Sequence, residues 1–574
     1  MNIFEYYLKE IQYLVLNNKK YLKLEKIDNL KSINLEVPPD QFNFDLSCNI
    51  AMVLGKTNKV NPKDLAEKLK KILLEKISNF SNIEVAGPGF LNIKLSKTAL
   101  VKIINSILEN NKTYGSNKSN NTYNVEFVSA NPTGPMHVGH CRGAIYGDVL
   151  SNLLKFNGNN VTKEYYINDY GNQIDNFVES VFFRIQEIKY KIEFPKKKNL
   201  YPGLYIKDIA SKIIKKDQNI DYKNLDEHFE SLKIKSLESS MNLIRNDLKQ
   251  LGITHDNFCS ETDIVNKNLV NKAVQKLIDK KYVEEGYLQP PKGEINDNWK
   301  KIKRLIFKST LFGDDNNRAL QKNDGSWTYF ANDVAYHMDK VNRNFKYLIN
   351  ILGADHTGYI KRITAAVSAL SGNNTKLDCK VCQLVKLYKN GEPFKMSKRA
   401  GDFISAQDLL NEVDKDSIRF MMLYRSNDVE LEFDFDKIKE KTKDNPVFYV
   451  QYAFARISSL YRTLNIKLNN KTILNTQNFE LNIHEEKIIR KIFEWPKIIE
   501  SASKKFEIHK IPFYLYDLST LFHAYWSMGN EDKKYKFIEN DKIKRLEILI
   551  IVNLLSTVIQ NGMKILGVSL PEKM

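Results

Sequence analysis

A chain of 574 residues is too long for one ordinary core, so several domains are expected. With 42% hydrophobic and 27% charged residues it reads as globular, which excludes disordered and fibrous classes. Lys and Arg number 87 against 69 Asp and Glu, a net charge of +18 that would attract polyanions, although Lys, Asn and Ile abound along the whole length and a compositional bias accounts for the charge equally well.

The opening MNIFEYYLKEIQYLVL carries Glu5 and Glu10 and no unbroken apolar stretch, so no secretory signal is expected. The first arginine is Arg142, which argues against an Arg-rich transit peptide. An N-terminal α+β unit is expected over residues 1–110. Within it Asn61 caps a helix with Pro62 in its first turn and Leu65, Leu69, Ile72 and Leu73 on one face. The strand-like FLNIKL follows the turn residues Gly87, Pro88 and Gly89, and NNKTYGSNKSNNTYN reads as a linker.

From residue 122 the pattern becomes strand, loop, helix, strand. Tyr123 to Val128 alternates like a buried strand, SANPTGPMHVGH is a Pro- and Gly-rich loop, and Ile145, Val149, Leu150, Leu153 and Leu154 mark a helix closed by Gly158. VTKEYYIND is the next strand. This is half of a doubly wound, mostly parallel sheet, which binds ligands at the carboxyl ends of its strands. The stretch of about 175–302, Lys-rich and helical in period, reads as an insertion without catalytic-looking constellations. Strands return at YLINILGAD and CQLVKLY, closing a Rossmann-like domain over 122–444. Residues 445–574 read as a separate all-α domain with interleaved aromatics, among them Tyr449, Tyr452, Phe454 and Tyr461. Its most apolar run, Ile548 to Ile559, is interrupted by Asn553 and too short to cross a bilayer, so a buried helix is expected.

Cys48, Cys141, Cys259, Cys379 and Cys382 are scattered and odd in number, which suits a reducing compartment. Cys379 and Cys382 form a CxxC inside the strand-like CKVCQLVKL, where an odd offset sends side chains to opposite faces, so core cysteines are expected in place of zinc ligands and no protein-held metal is predicted.

Two segments carry phosphate chemistry. His137, Val138, Gly139 and His140 sit where a strand has ended and a helix begins, a position of unpaired N–H groups and partial positive charge at which Gly139 lets a nucleotide approach and two imidazoles can donate to phosphate oxygens. A metal pair or two incidental histidines are the bland readings; HxxH alone supplies too few ligands, and the chain holds 9 His. Lys395, Met396, Ser397, Lys398 and Arg399 follow the turn Asn390 to Pro393. Three cations in so short a loop repel one another unless an anion such as a triphosphate neutralises them; alone, such a loop reads as solvated surface.

In this order the two segments resemble the signature pair of class I aminoacyl-tRNA synthetases. The runs EFVSANPTGPMHVGHCRGA, YYINDYGNQI, TYFANDVAYH, LGADHTGYI, KMSKRAG and DNPVFYVQYAFARI narrow the resemblance to arginyl-tRNA synthetases. It extends to VPPDQFNFDLSCNIAMVL, VAGPGFLN and LGVSLPEKM and covers most of the chain. Asn43, Phe44 and Asp45 depart from the family's Gly-Asp pair, which bears on a local turn.

The resemblance implies an arginine pocket of Glu126, Ser129, Asn131, Tyr329 and Asp333, with ATP contacted by Gly139, Asp355, His356, Met396 and Ser397 and the chemistry assisted by His137, His140, Lys395 and Lys398. A guanidinium calls for a carboxylate, and Asp333 is the first choice, with Glu126 second. A helix N-cap is the rival reading of Asp333, and a satisfied buried histidine that of His356. The resemblance further implies ATP with Mg²⁺, L-arginine and tRNA(Arg) as partners, tRNA needed before arginine is activated, anticodon binding by the helical domain and a grip on the outer corner of the tRNA by the N-terminal domain. A cytoplasmic monomer without membrane attachment is expected. A synthetase for another amino acid would lack Asp333 and Glu126 in its pocket, and a noncatalytic RNA-binding relative would be expected to have lost histidines or lysines of the two motifs.

Overall fold

The computed structural model describes residues 2–39, 41–287, 302–394, 403–466 and 479–574. The chain forms two compact units, one of residues 1–117, 441–565 and 569–574, the other of residues 118–440 and 566–568.

In the first unit a four-stranded antiparallel sheet runs in the order Leu35–Glu36, Leu46–Cys48, Phe90–Leu95, Phe80–Ala86. The helix Pro62–Lys76 begins as its sequence predicts, with the Asn61 side chain accepting from the Lys63 N–H and Leu65, Leu69, Ile72 and Leu73 buried. The long helices Pro446–Thr463, Ile483–Lys505, Lys510–Glu531 and Leu546–Leu566 carry the C-terminal stretch. Asp45 does more than close a local turn: its buried carboxylate accepts from the Leu95 N–H at 2.8 Å and from Arg490 Nε at 3.0 Å, and Asn43 also meets Arg490. The late apolar helix has 21 residues, enough by length and composition to cross a bilayer, so the expected segment was cut too short. Its polar positions misled that reading. Asn553 and Asn561 are buried but bonded, to the Tyr461 hydroxyl and the Asn111 carbonyl, as suits a helix packed within protein.

The second unit is built on a five-stranded, fully parallel sheet in the order Lys376–Cys382, Tyr347–Gly353, Thr122–Glu126, Asn160–Ile167, Asn257–Ser260. Numbered along the chain this is 5-4-1-2-3, a doubly wound order whose direction reverses between Thr122–Glu126 and Tyr347–Gly353; there the crossovers leave to opposite faces and a crevice opens at the strand ends. Two expectations need correction. The stretch 175–302 is not one insertion, because Asn257–Ser260 inside it is the edge strand of this sheet. Its four residues offer no apolar alternation by which to recognise it. Likewise CKVCQLVKL is two strands. Lys376–Cys382 ends in the large sheet, and Val385–Lys389 pairs with Glu392–Pro393 and Leu431–Asp434 in a small one.

The helix Val138–Phe156 packs closely on the first strand because Gly147 allows it; a Cβ there would lie 2.3 Å from the Phe127 ring. Deep in the unit Asp148 on this helix accepts from Lys163 at 2.6 Å and from Arg419 at 2.5 Å, all three residues being buried. Arg142, also buried, donates to the carbonyls of Gln383, Ser426 and Val429, fixing the same helix to the small sheet's connections.

Candidate active site

The loop after the first strand leaves through a tight turn in which the Ser129 N–H returns to the Phe127 carbonyl at 3.1 Å. Val128 and Ser129 take φ of +72° and +40°, a conformation a β-branched residue adopts only under strain. The turn aims the Ser129 hydroxyl at Glu126, to which it donates at 3.2 Å, while the Tyr166 N–H bonds the same oxygen at 3.1 Å. Asn131 is exposed and tied to Gln173 and Asn168.

His137 caps the following helix. The stretch Met136–Val138 is bound to residues 404–406, with the Val138 N–H donating to the Ile404 carbonyl at 2.9 Å and the Ala406 N–H to the Met136 carbonyl at 2.8 Å. The His140 N–H bonds back within the first turn to the His137 carbonyl, and among the described residues no backbone acceptor meets the Gly139 N–H. The two imidazoles stack with centroids 3.5 Å apart. His140 Nδ1 accepts from the His137 N–H at 3.3 Å, so in the neutral ring the proton sits on Nε2. Burial, and then the neighbouring His137, lower its pKa to about 3; burial lowers His137 too, against the pull of Asp355. Both rings are therefore neutral donors at pH 7. Lys395, Met396, Ser397 and Lys398 lie outside the described residues. The chain leaves that segment at Phe403, whose ring centroid is 6.1 Å from that of His137.

Across the sheet reversal, the helix Tyr329–Asn342 brings Asp333 to the crevice. The Thr328 side chain caps this helix, so Asp333 lies in its second turn and is not the N-cap. Tyr329, one turn earlier, is 69% exposed and stands at the rim. The Tyr359 hydroxyl donates to Asp333. Burial pushes the Asp333 carboxyl up to about 7, with Glu261 and Glu126 adding to the effect. Asp355 and His356 follow the Tyr347–Gly353 strand on a short 3-10 turn, their side chains exposed and 3.3 Å apart, so His356 is not a buried histidine.

The acids of the crevice divide into two kinds. Glu164 receives a bidentate Arg343 fork at 2.6 and 2.8 Å; burial alone would raise its pKa, but Arg343 and Lys340 hold it at about 2. Glu126 is met by Lys340, itself fully buried. Asp333 and Glu261 make no ion pair among the described residues. Glu261, 4% exposed, accepts from Asn332 at 2.9 Å, and burial raises its pKa. The sequence reading named Glu126, which has a resident cation here in Lys340, and did not name Glu261. No local signal marks it; its position follows from the pairing of the edge strand that precedes it.

Comparison with known proteins agrees with this layout. Three family profiles match in succession: an arginyl tRNA synthetase N terminal domain over residues 11–95, a class I tRNA synthetase (R) catalytic domain over 103–457, and a DALR anticodon binding domain over 450–574. The chain is 52% identical over 577 residues to an arginine–tRNA ligase of Pelagibacter ubique, covering both chains in full. The chain belongs to the arginyl-tRNA synthetase family. A Bartonella tribocorum arginine–tRNA ligase is 44% identical over 589 residues, again over both full lengths. The Thermus thermophilus arginyl-tRNA synthetase shares the fold of this synthetase, with a TM-score of 0.71 over 99% of this chain and 100% of that one at 18% identity.

Proposed function

We propose that the crevice activates L-arginine with ATP and that the enzyme passes the arginyl group to the 2′-hydroxyl of the terminal adenosine of tRNA(Arg). The observation that carries this reading is the pair of desolvated carboxylates without a cation among the described residues, Asp333 and Glu261, beside the two acids that have one. A guanidinium is permanently charged and presents a fork of donors, which suits two acceptors approached from different elements. Ser129 and Asn131, with Glu126 behind them, receive the amino acid's ammonium and carboxylate end.

The substrate carboxylate attacks the α-phosphorus in line and pyrophosphate leaves. Alignment and charge neutralisation suffice, and no side-chain nucleophile is required. His140 donates from Nε2, the Gly139 N–H and His137 donate beside it, and Lys395 and Lys398 close over the leaving pyrophosphate. Asp355 and His356 contact the nucleotide from the neighbouring strand. Mg²⁺, when bound, neutralises the triphosphate. Among the described residues no group of three His, Cys, Asp or Glu is arranged to hold a metal ion.

In the helical stretch Arg456 lies 4.4 Å over the Tyr452 ring and donates to His523 at 2.9 Å, with Tyr449 and Trp526 alongside. Half-exposed aromatics around an arginine suit the splayed bases of an anticodon loop. The N-terminal unit grips the tRNA's outer corner. The enzyme works in the cytoplasm as a monomer free of the membrane, and needs bound tRNA before it activates arginine. Charging assays with each amino acid against total tRNA test the whole reading; a single strong arginine signal is expected, and incorporation of another amino acid overturns it. Equal pyrophosphate exchange with and without tRNA removes the tRNA requirement.

A further inference from the structure

Residues 172–250 carry no side chain assigned above to ATP or arginine. Their helices Asn172–Tyr190, Leu204–Lys216 and Leu225–Gln250 bury a core of their own around Phe177, Ile206, Ile209 and Leu232. Three of their side chains nevertheless end on the loop that leads into His137: Gln173 accepts from Asn131 near its start, and Tyr205 and Asp247 meet it further on. Tyr205, in the first turn of its helix, lays its ring against Gly134: a Cβ at that glycine would lie 3.0 Å from the ring. Gly203 is as close on its own side, where a Cβ would come within 2.4 Å, so the ring is held between two bare backbones. Asp247, in the last turn of Leu225–Gln250, accepts the Met136 N–H at 3.0 Å, and Met136 is fully buried.

Between these contacts stands Pro135, which has no N–H and a fixed φ, so the short segment has little freedom of its own. The Met136 carbonyl and the Val138 N–H are taken by residues 404–406 on the other side. Burial pushes the Asp247 carboxyl up to about 6, so its charge is retained at a cost, and Met136 N–H is the hydrogen bond found on it. A helix end that needed only to be packed would be cheaper with an apolar residue.

We propose that Tyr205 and Asp247 are positioning residues: the 172–250 helices clamp Gly134–Met136 and thereby set where His137 meets the ATP phosphates. The clamp acts on the nucleotide half of the site. The guanidinium end of the arginine site, Asp333 and Glu261, stands on other helices, and the clamp does not include Asn131, which Gln173 holds. The proposal rests on the reading that His137 faces ATP.

The test uses the full-length enzyme with tRNA present, measuring ATP–pyrophosphate exchange, arginine binding by calorimetry and thermal unfolding for D247A, D247N, Y205A, Y205F and H137N. D247A and Y205A should lower kcat at least tenfold while arginine KM and Kd stay within threefold. D247N, which still offers an oxygen to the Met136 N–H, and Y205F, which keeps the ring against Gly134, should recover to within threefold of wild type. A general loss of structure would instead move arginine binding together with kcat and would not be repaired by the conservative changes; either result overturns the clamp. So does a kcat within threefold of wild type for D247A or Y205A, and each of the two tests the idea if the other fails to fold. A slow H137N beside a normal D247A sinks the clamp alone, whereas a wild-type rate in H137N sinks the reading beneath it.

Discussion

Replacing Asp333 with asparagine should weaken arginine binding and strengthen the unliganded fold, because one carboxylate is responsible for both effects. Burial raises its pKa from 3.8 to about 7. At 1.36 kcal/mol per unit, keeping it ionised in the empty enzyme at pH 8 costs about 4 kcal/mol relative to the unfolded chain, as an upper figure. The native state binds this proton more tightly than the unfolded one, so the penalty is absent below pH 3.8, grows as pH rises towards 7, and is constant above. Asparagine cannot ionise and still offers an oxygen to the Tyr359 hydroxyl. Urea unfolding of the ligand-free variant should therefore show a gain of a few kcal/mol at pH 8 that shrinks towards zero near pH 4. Binding should move the other way. Removing one member of a buried ion pair costs about 3 kcal/mol, at least a hundredfold in Kd. Wild-type affinity should also fall as pH drops through 7, by up to about tenfold per unit, and lose that slope in the variant. Calorimetric titration between pH 5.5 and 8.5 reads both. A variant that binds arginine within threefold of wild type, or a wild-type Kd flat across that range, would refute the assignment of the guanidinium to Asp333.

His140→Asn should slow adenylate formation about a hundredfold, the scale of one lost transition-state donor, in single-turnover measurements. Because burial holds His140 near pKa 3, its protonation should leave no limb in the wild-type pH–rate profile between pH 6 and 8; a limb that disappears in this variant would contradict a neutral donor. Lys398→Ala should cost a similar factor in adenylate formation with little change in arginine affinity, and near-normal single-turnover rates would remove that lysine from the mechanism. Asp148→Ala leaves Lys163 and Arg419 buried without their shared acid and should lower stability by about 3–5 kcal/mol in urea unfolding; a loss under 1 kcal/mol would mean water or carbonyls already satisfy both cations.

What was legible in the sequence is what is local. The first strand, the Pro- and Gly-rich loop and the start of a helix at Val138 follow one another closely, and periodicity plus turn chemistry located them, although the strand ends at Glu126 and not at Val128. What was lost depends on partners far along the chain. Lys340 looks like an ordinary charge in a helix's last turn, yet it is fully buried because Glu126, 214 residues away, receives it. Glu261 stands in a lysine-rich run that shows no catalytic-looking constellation, and it is the pairing of Asn257–Ser260 with Glu164–Ile167 that carries the next helix to the sheet. The split of CKVCQLVKL was equally hidden: no glycine or proline separates Cys382 from Val385, and only the small sheet's parallel pairing to Leu431–Asp434 pulls the second half away.

The same long-range partners bear on how the proposed pocket would select a cation. Four carboxylates, Glu126, Glu164, Glu261 and Asp333, stand near two cations, Lys340 and Arg343; Lys340 is tied to Glu126 by a short, buried contact, and Arg343 pairs with Glu164 and, at 3.0 Å, with Asp339. Were all four acids unpaired, their desolvation would exceed what a domain can tolerate; were all four paired, a cationic side chain would find nothing to neutralise. Two of the four, Asp333 and Glu261, have no cationic partner among the described residues, so on the proposed function a bound arginine would relieve their desolvation, and a neutral amino acid of similar size would not. On this argument the pocket's discrimination depends on Lys340 and Arg343 staying with Glu126 and Glu164 as much as on Asp333 and Glu261 facing the substrate, since a resident cation that turned to Asp333 would occupy the place of the guanidinium.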